Sequence, residues 1–240
     1  MNSEKRDLLG IIGGLGPMAT VYFYEMLTAH TDAKSDQEHI DILISSRATT
    51  PDRTAYITGR STDSPLPYMI EELKRLENAG VTLAVMPCNT AHYFIDELKN
   101  SARVPMLDII EETVKLCRAR GFKRLGLLAT EGTASTGSYP KRAEPLGAEI
   151  VLPSEEGQKK VSEIIYSQIK KGLPADARLF SEVADEMKAK GCDTVILGCT
   201  ELSLVKKQMS LGPYFTDSLE ALAWSTIKRY GKKPISFDFE

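Results

Sequence analysis

Histidine and cysteine are scarce in this chain, three and four among 240 residues. His30, His39 and His92 show no metal-ligand spacing, so no metal centre is expected. Four cysteines are too sparse for a disulfide scaffold, and free thiols in a reducing cytoplasm are the expected state. Basic residues are not in excess: 30 Lys and Arg stand against 33 Asp and Glu, a net charge of −3. Nothing then neutralises a phosphate backbone, and nucleic acid is not an expected partner. No apolar run approaches the ~18 residues of a membrane span, and the first residues lack a secretory pattern. At roughly 100–200 residues per domain, the length allows one large domain or two small ones.

Short apolar runs alternate with stretches of helical period. The runs lie at 8–12, 40–44, 81–86, 125–129, 149–152 and 194–197. They are continuous, as expected of strands buried on both faces of a parallel sheet. Between them run apolar stripes such as Leu66, Met69, Ile70, Leu73 and Leu76, or Val161, Ile164, Ile165 and Ile169. Each stripe stops at a glycine (Gly80 and Gly172 for these two), the usual helix stop. The pattern predicts an α/β architecture.

The chain also repeats itself weakly. LLGIIGGLGPMAT (8–20) overlays RLGLLATEGTAST (124–136) at an offset of 116, and AGVTLAVMPCNT (79–90) overlays KGCDTVILGCTE (190–201) at 111. The expected fold is two similar open parallel-sheet α/β lobes related by a pseudo-twofold axis, with the site in the cleft between them. The lobes are expected at 1–105 plus 212–240, and at 106–211. The crossovers fall near Pro105 and Pro213, after which 214–216 returns to the first lobe.

Cys88 and Cys199 hold equivalent places in the two halves. Each ends a strand, where open parallel sheets bind ligands, and each precedes a helical segment whose N-terminus favours an anion. A free thiol is only about 3% thiolate at pH 7, and a helix N-terminus raises that fraction. Cys117, on a helix stripe, and Cys192, at the start of a strand, are read as structural. Two thiols facing across a crevice can invert a carbon acid, one removing the α-proton and the other supplying it. With each sulfur about 3–3.5 Å from the carbon, they would stand roughly 6–7 Å apart.

MPCNTAH (86–92) and LGCTEL (197–202) resemble the paired cysteine signatures of the aspartate/glutamate racemase family. The likeness extends through LGIIGGLGPMAT (9–20), PDRT (51–54), LLATEGTASTGSY (127–139) and IIYSQIKKG (164–172). It is closer to aspartate racemases, because Glu201 stands where glutamate racemases typically carry histidine. The resemblance implies an amino-acid racemase without a cofactor, acting on a small dicarboxylic amino acid and forming a homodimer. It implies Cys88 and Cys199 as the acid and base. Asn89, Thr90 and Thr200 would hold the α-carboxylate, and Arg53 a substrate carboxylate. Lys170 matches the family lysine, with Lys171 next to it as the other register. Leu15, Thr130 and Thr133 would rim the cleft. Glu201 would orient Cys199, meet the substrate ammonium, or simply complement the helix dipole.

Other readings remain. Within the same family the substrate is aspartate, glutamate or a broad set. GGLGPMA (13–19) carries a weak dinucleotide spacing, G-x-G-x-x-A, without a following acid. A non-catalytic amino-acid-binding protein, or an enzyme that decarboxylates or isomerises a diacid, would use a similar frame.

Overall fold

The computed structural model describes residues 7–239. Its first half contains β1 (Leu8–Gly13), α1 (Pro17–Ala29), β2 (Asp41–Ser46), α2 (Arg53–Ile57), α3 (Leu66–Asn78), β3 (Leu83–Val85) and α4 (Ile95–Ser101). Then come α5 (Ile109–Ala119), β4 (Arg124–Leu128), α6 (Glu131–Ser135), α7 (Ser138–Ala143) and β5 (Glu149–Val151). The chain continues through α8 (Glu155–Ser162), α9 (Ala177–Ala189), β6 (Thr194–Leu197), α10 (Thr200–Met209), β7 (Phe215–Asp217) and α11 (Ser218–Arg229).

The strands form two parallel sheets, ordered β2-β1-β3 and β5-β4-β6-β7. A lone parallel bridge joins Ala84 to Met106, so the chain at 106 lies beside β3 as β7 lies beside β6. The internal repeat of the sequence is therefore a repeat of sheet order. The segment 214–216 departs from expectation: it pairs with β6 instead of returning to the first lobe. A crossover helix such as α10 lays the next strand parallel on the same sheet. The Tyr214 carbonyl then accepts from the Val195 amide and the Thr194 hydroxyl.

One apolar core fills the space between the sheets. Leu9 and Ile11 of β1, Phe23 of α1, Val114 of α5, Leu127 of β4 and Leu222 of α11 meet there. Full burial of a side chain such as Phe23 stabilises the fold by about 1.5–3 kcal/mol. Met69, Leu73 and Leu98 of α3 and α4 cover the outer face of the first sheet. Val161, Phe180 and Val183 of α8 and α9 cover that of the second. β2 breaks the expectation of two buried faces, since Leu43 and Ile44 are 37% and 36% exposed. It is an edge strand with only β1 beside it.

The stripe through Val161, Ile164, Ile165 and Ile169 is not one regular helix. α8 runs into a π-helical turn, Glu163–Gln168, and a 3₁₀ turn, Ile169–Lys171, ending at Gly172 with φ 74. The wider turn re-aims the following side chains, a device common at functional sites.

Candidate active site

Cys88 and Cys199 both lie just beyond the ends of parallel strands, three residues after β3 and two after β6. Their surroundings differ more than the repeat suggests. Cys88 leads into a 3₁₀ turn, Thr90–Phe94, in place of the expected α-helix. Cys199 is the N-cap of α10. His92 braces the Cys88 loop from behind: Nε2 accepts from the Ile109 amide at 3.1 Å, so Nδ1 donates to the Cys88 carbonyl at 2.8 Å. Burial pushes the His92 pKa down and keeps the ring neutral.

Both thiols line the same cavity, and both are nearly fully buried. Leu15, Arg53, Asn89, Thr90, Thr130, Lys170, Thr200 and Glu201 line it too, all expected from the sequence. Asp52, Thr54 and Tyr166 join them, and the sequence reading missed these three. Each lies inside a segment already singled out: Asp52 and Thr54 flank Arg53, and Tyr166 precedes Lys170 by four residues. Cys117 and Cys192 lie elsewhere, Cys117 in the core between the sheets, where burial pushes its pKa to about 11. The free space in that cavity is about 10 Å³. That suits roughly one water. An outer chamber of about 500 Å³ adjoins it through Asp52, Arg53, Lys170 and Glu201, with Met18, Ile169 and Leu204 among its walls.

Hydroxyls seam the two halves together over the thiols. Thr90 Oγ1 lies 2.9 Å from Thr130 Oγ1 and 3.1 Å from Thr133 Oγ1. Thr133 is thus one step behind the cavity wall, and its hydroxyl also meets that of Thr130 at 3.0 Å. Gly132 permits this approach, because a Cβ there would sit 3.0 Å from Thr54 Oγ1. Asn89 is held at both ends, donating from Nδ2 to Ser218 and accepting from Tyr139. Its backbone and one amide hydrogen are what it can offer a ligand.

The cations are placed with equal definition. Arg53 Nη2 donates to the Leu15 carbonyl at 2.8 Å, and Nη1 donates to the carbonyls of Thr50 and Pro51. Its Nε is buried and has no partner. A buried N–H left unpaired is rare and marks a place for an acceptor. The glycine-rich turn thus holds an arginine, and Gly14 at φ 83 brings that turn against the Arg47 backbone. Lys170 lines the cavity, its Nζ 3.6 Å from Glu201 Oε1, and Lys171 does not; both residues keep exposed surface. Burial lowers the Lys170 pKa, but Glu201 and the thiols outweigh it and the net shift is upward, so the amine stays charged.

At Cys199 the expectation of a raised thiolate fraction is overturned. Burial pushes its pKa well up, and Glu201, accepting from Sγ at 2.9 Å, pushes it further. The dipole of α10 does not offset a dry site with a carboxylate in contact. Among the described residues, no group of three or more His, Cys, Asp or Glu is placed to hold a metal ion, and no helix is long and apolar enough to cross a membrane.

The model of the Asp/Glu/hydantoin racemase family matches residues 12–226. The chain belongs to this family. A solved aspartate racemase from Picrophilus torridus is 31% identical, covers 95% of this chain and 96% of its own, and superposes with a TM-score of 0.81. An aspartate racemase homologue from Pyrococcus horikoshii is 27% identical at a TM-score of 0.76, with 95% and 99% covered. The broad-specificity amino-acid racemase RacX of Bacillus subtilis is 27% identical over 93% of this chain and 98% of its own. The racemase fold of these neighbours is the two-sheet α/β architecture described above.

Proposed function

We propose that this racemase-family protein inverts the α-carbon of aspartate without a cofactor, using Cys88 and Cys199 as the two bases. The observation that carries the reading is that both thiols line one small cavity beside a buried arginine whose Nε–H lacks a partner. One thiolate removes the α-proton while the opposite thiol supplies another. Charge then develops on the α-carboxylate, where Thr90, Thr130, Thr200 and the Asn89 backbone would donate to it, with Thr133 holding the first two in place. Arg53 takes the distal carboxylate through Nε, as a planar cation fits a carboxylate better than an amine does. Lys170 adds a second positive charge at the same end, and Leu15 closes the wall. Excluding water strengthens each of these contacts.

The outer chamber favours a second reading, glutamate or a broad set of amino acids. Its 500 Å³ would take a side chain longer than that of aspartate. One experiment separates the two. Single-enantiomer amino acids are incubated with the protein in D2O, following optical rotation and α-deuterium uptake. Fast exchange and racemisation of aspartate above all others is the expected result, and a protein inert toward every amino acid would sink the proposal.

A homodimer and a cytoplasmic setting belong to the same proposal. Four free cysteines suit a reducing compartment. Met18, Val21 and Tyr24 expose 64%, 57% and 48% of their surface on one side of α1, which is where a second copy would sit. Sedimentation of the purified chain checks the assembly.

A further inference from the structure

Glu201 touches a thiol. Its Oε2 accepts the Cys199 S–H at 2.9 Å and its Oε1 faces Lys170 Nζ at 3.6 Å. The residue is only 8% exposed. The glycine turn of the other half makes room for it, since a Cβ on Gly16 would lie 2.9 Å from Oε1. Both carboxylate oxygens are therefore engaged before any substrate ammonium arrives. Cys88 has no counterpart to Glu201: among the described residues, no carboxylate is hydrogen-bonded to its sulfur, and the loop behind it is held by neutral His92. The charged and titratable groups facing the thiols are Lys170, Arg53, Asp52 and Tyr166, together with Glu201.

We propose that Glu201 is a positioning residue that keeps the proton on Cys199, so that in the resting enzyme Cys88 is the base and Cys199 the acid. The inference rests on the racemase reading above. A carboxylate in contact stabilises a thiol that donates to it and repels a thiolate in its place. With Cys199 protonated, Glu201 and Lys170 form a neutral pair. Ionising Cys199 would leave an extra negative charge in a dry site, a costly arrangement.

The asymmetry assigns a direction to each half-reaction. In the resting enzyme, the enantiomer that turns its hydrogen to Cys88 loses the proton to that thiolate. The Cα–H bond breaks, an S–H bond forms, and the electron pair passes into the carboxylate as an enediolate. Cys199 then gives its proton to the opposite face of the carbon, and the S–H electron pair remains on sulfur. The starting form returns when Cys199 takes a proton from water and Cys88 releases one.

The test is alkylation by iodoacetamide across a pH series, read separately at Cys88 and Cys199 by mass spectrometry, in the wild type and in Glu201→Gln. The substitution is nearly isosteric, so reagent access is unchanged and only ionisation moves. In the wild type the midpoint for Cys88 lies at lower pH than that for Cys199. In Glu201→Gln the Cys199 midpoint falls by about one pH unit or more, and the alkaline limb of the kcat/KM profile moves the same way. Glu201→Asp, which keeps the charge, stays nearer the wild type. A Cys199 midpoint at or below that of Cys88 in the wild type overturns the proposal, and this measurement decides even if the Gln variant does not fold. An unmoved Cys199 midpoint in a folded Gln variant overturns it equally. Wild-type protein that racemises nothing would remove the proposed function instead, which the alkylation profiles do not depend on.

Discussion

Tyr166 Oη donates to Thr54 Oγ1 at 2.9 Å, and this bond crosses from the helical arm after β5 to the short helix α2 of the first half. With the Thr90, Thr130 and Thr133 hydroxyls it closes the cleft over a space fit for about one water. That space as it stands is too small for an amino acid.

Tyr166→Phe is expected to loosen closure and leave the fold intact. A hydrogen bond of this kind contributes about 0.5–1.5 kcal/mol net, so kcat/KM should fall by roughly 2–12-fold. Thr54→Val should show a similar loss, and the double variant little more than either alone. Additive losses in such a cycle would show that the two side chains act separately.

Cys88→Ala and Cys199→Ala are each expected to abolish racemisation while the circular dichroism spectrum stays that of the wild type. Each removes one proton carrier and only a small volume from a buried wall. Full activity in either variant would contradict the two-thiol scheme.

Arg53→Ala should damage aspartate turnover more than alanine turnover, since only aspartate has a distal carboxylate. A hydrogen bond to a charged group contributes about 1.5–3 kcal/mol, a factor of roughly 10–150. Loss of the contacts to the Leu15, Thr50 and Pro51 carbonyls affects both substrates alike, so the ratio of the two kcat/KM values is the measurement. Equal losses would refute the role.

Gly14→Ala is expected to destabilise the protein by at least about 2 kcal/mol, read as a fall in the urea midpoint. Gly14 has φ 83, and a Cβ there would lie 2.5 Å from the Arg47 backbone, which has no flexible end to move away. The same substitution at Gly59, also at positive φ but facing open space, should be milder.

Behind the active site, Glu220 is pushed up to about 7 by burial and by the Asp217 carboxylate, even though Lys206 holds both its oxygens. Its folded value lies above the unfolded one, near 4.5. Its contribution to stability is therefore complete below about pH 4.5 and is lost as pH rises through 7. Between pH 8 and 5.5 this amounts to about 1–2 kcal/mol. His92 acts in the opposite sense, because its folded value is depressed and protonation below about 6.5 costs stability. The difference between wild type and Glu220→Gln in urea unfolding at the two pH values isolates the Glu220 part. Identical pH slopes would dismiss it.

The two cysteines were legible because a parallel strand ends at its ligand-binding edge, and each thiol follows such a strand by two or three residues. Glycine stops made the helices legible for the same local reason. What local pattern could not carry was anything set by a distant neighbour. The run at 40–44 reads like a buried strand, yet β2 is an edge, a fact decided by which strands sit beside it. Tyr166 sits in a helical segment whose phase is altered by the π-helical turn, so its contact with Thr54 could not be counted out at 3.6 residues per turn. The carboxylate beside Cys199 was visible as a first-turn acid. Its contact with sulfur, which outweighs the dipole, depends on rotamer and burial.

The single-water space that both sulfurs line has a practical corollary. Crystals grown in this shape should refuse a soaked amino acid, and a complex would have to be grown with its ligand from the outset.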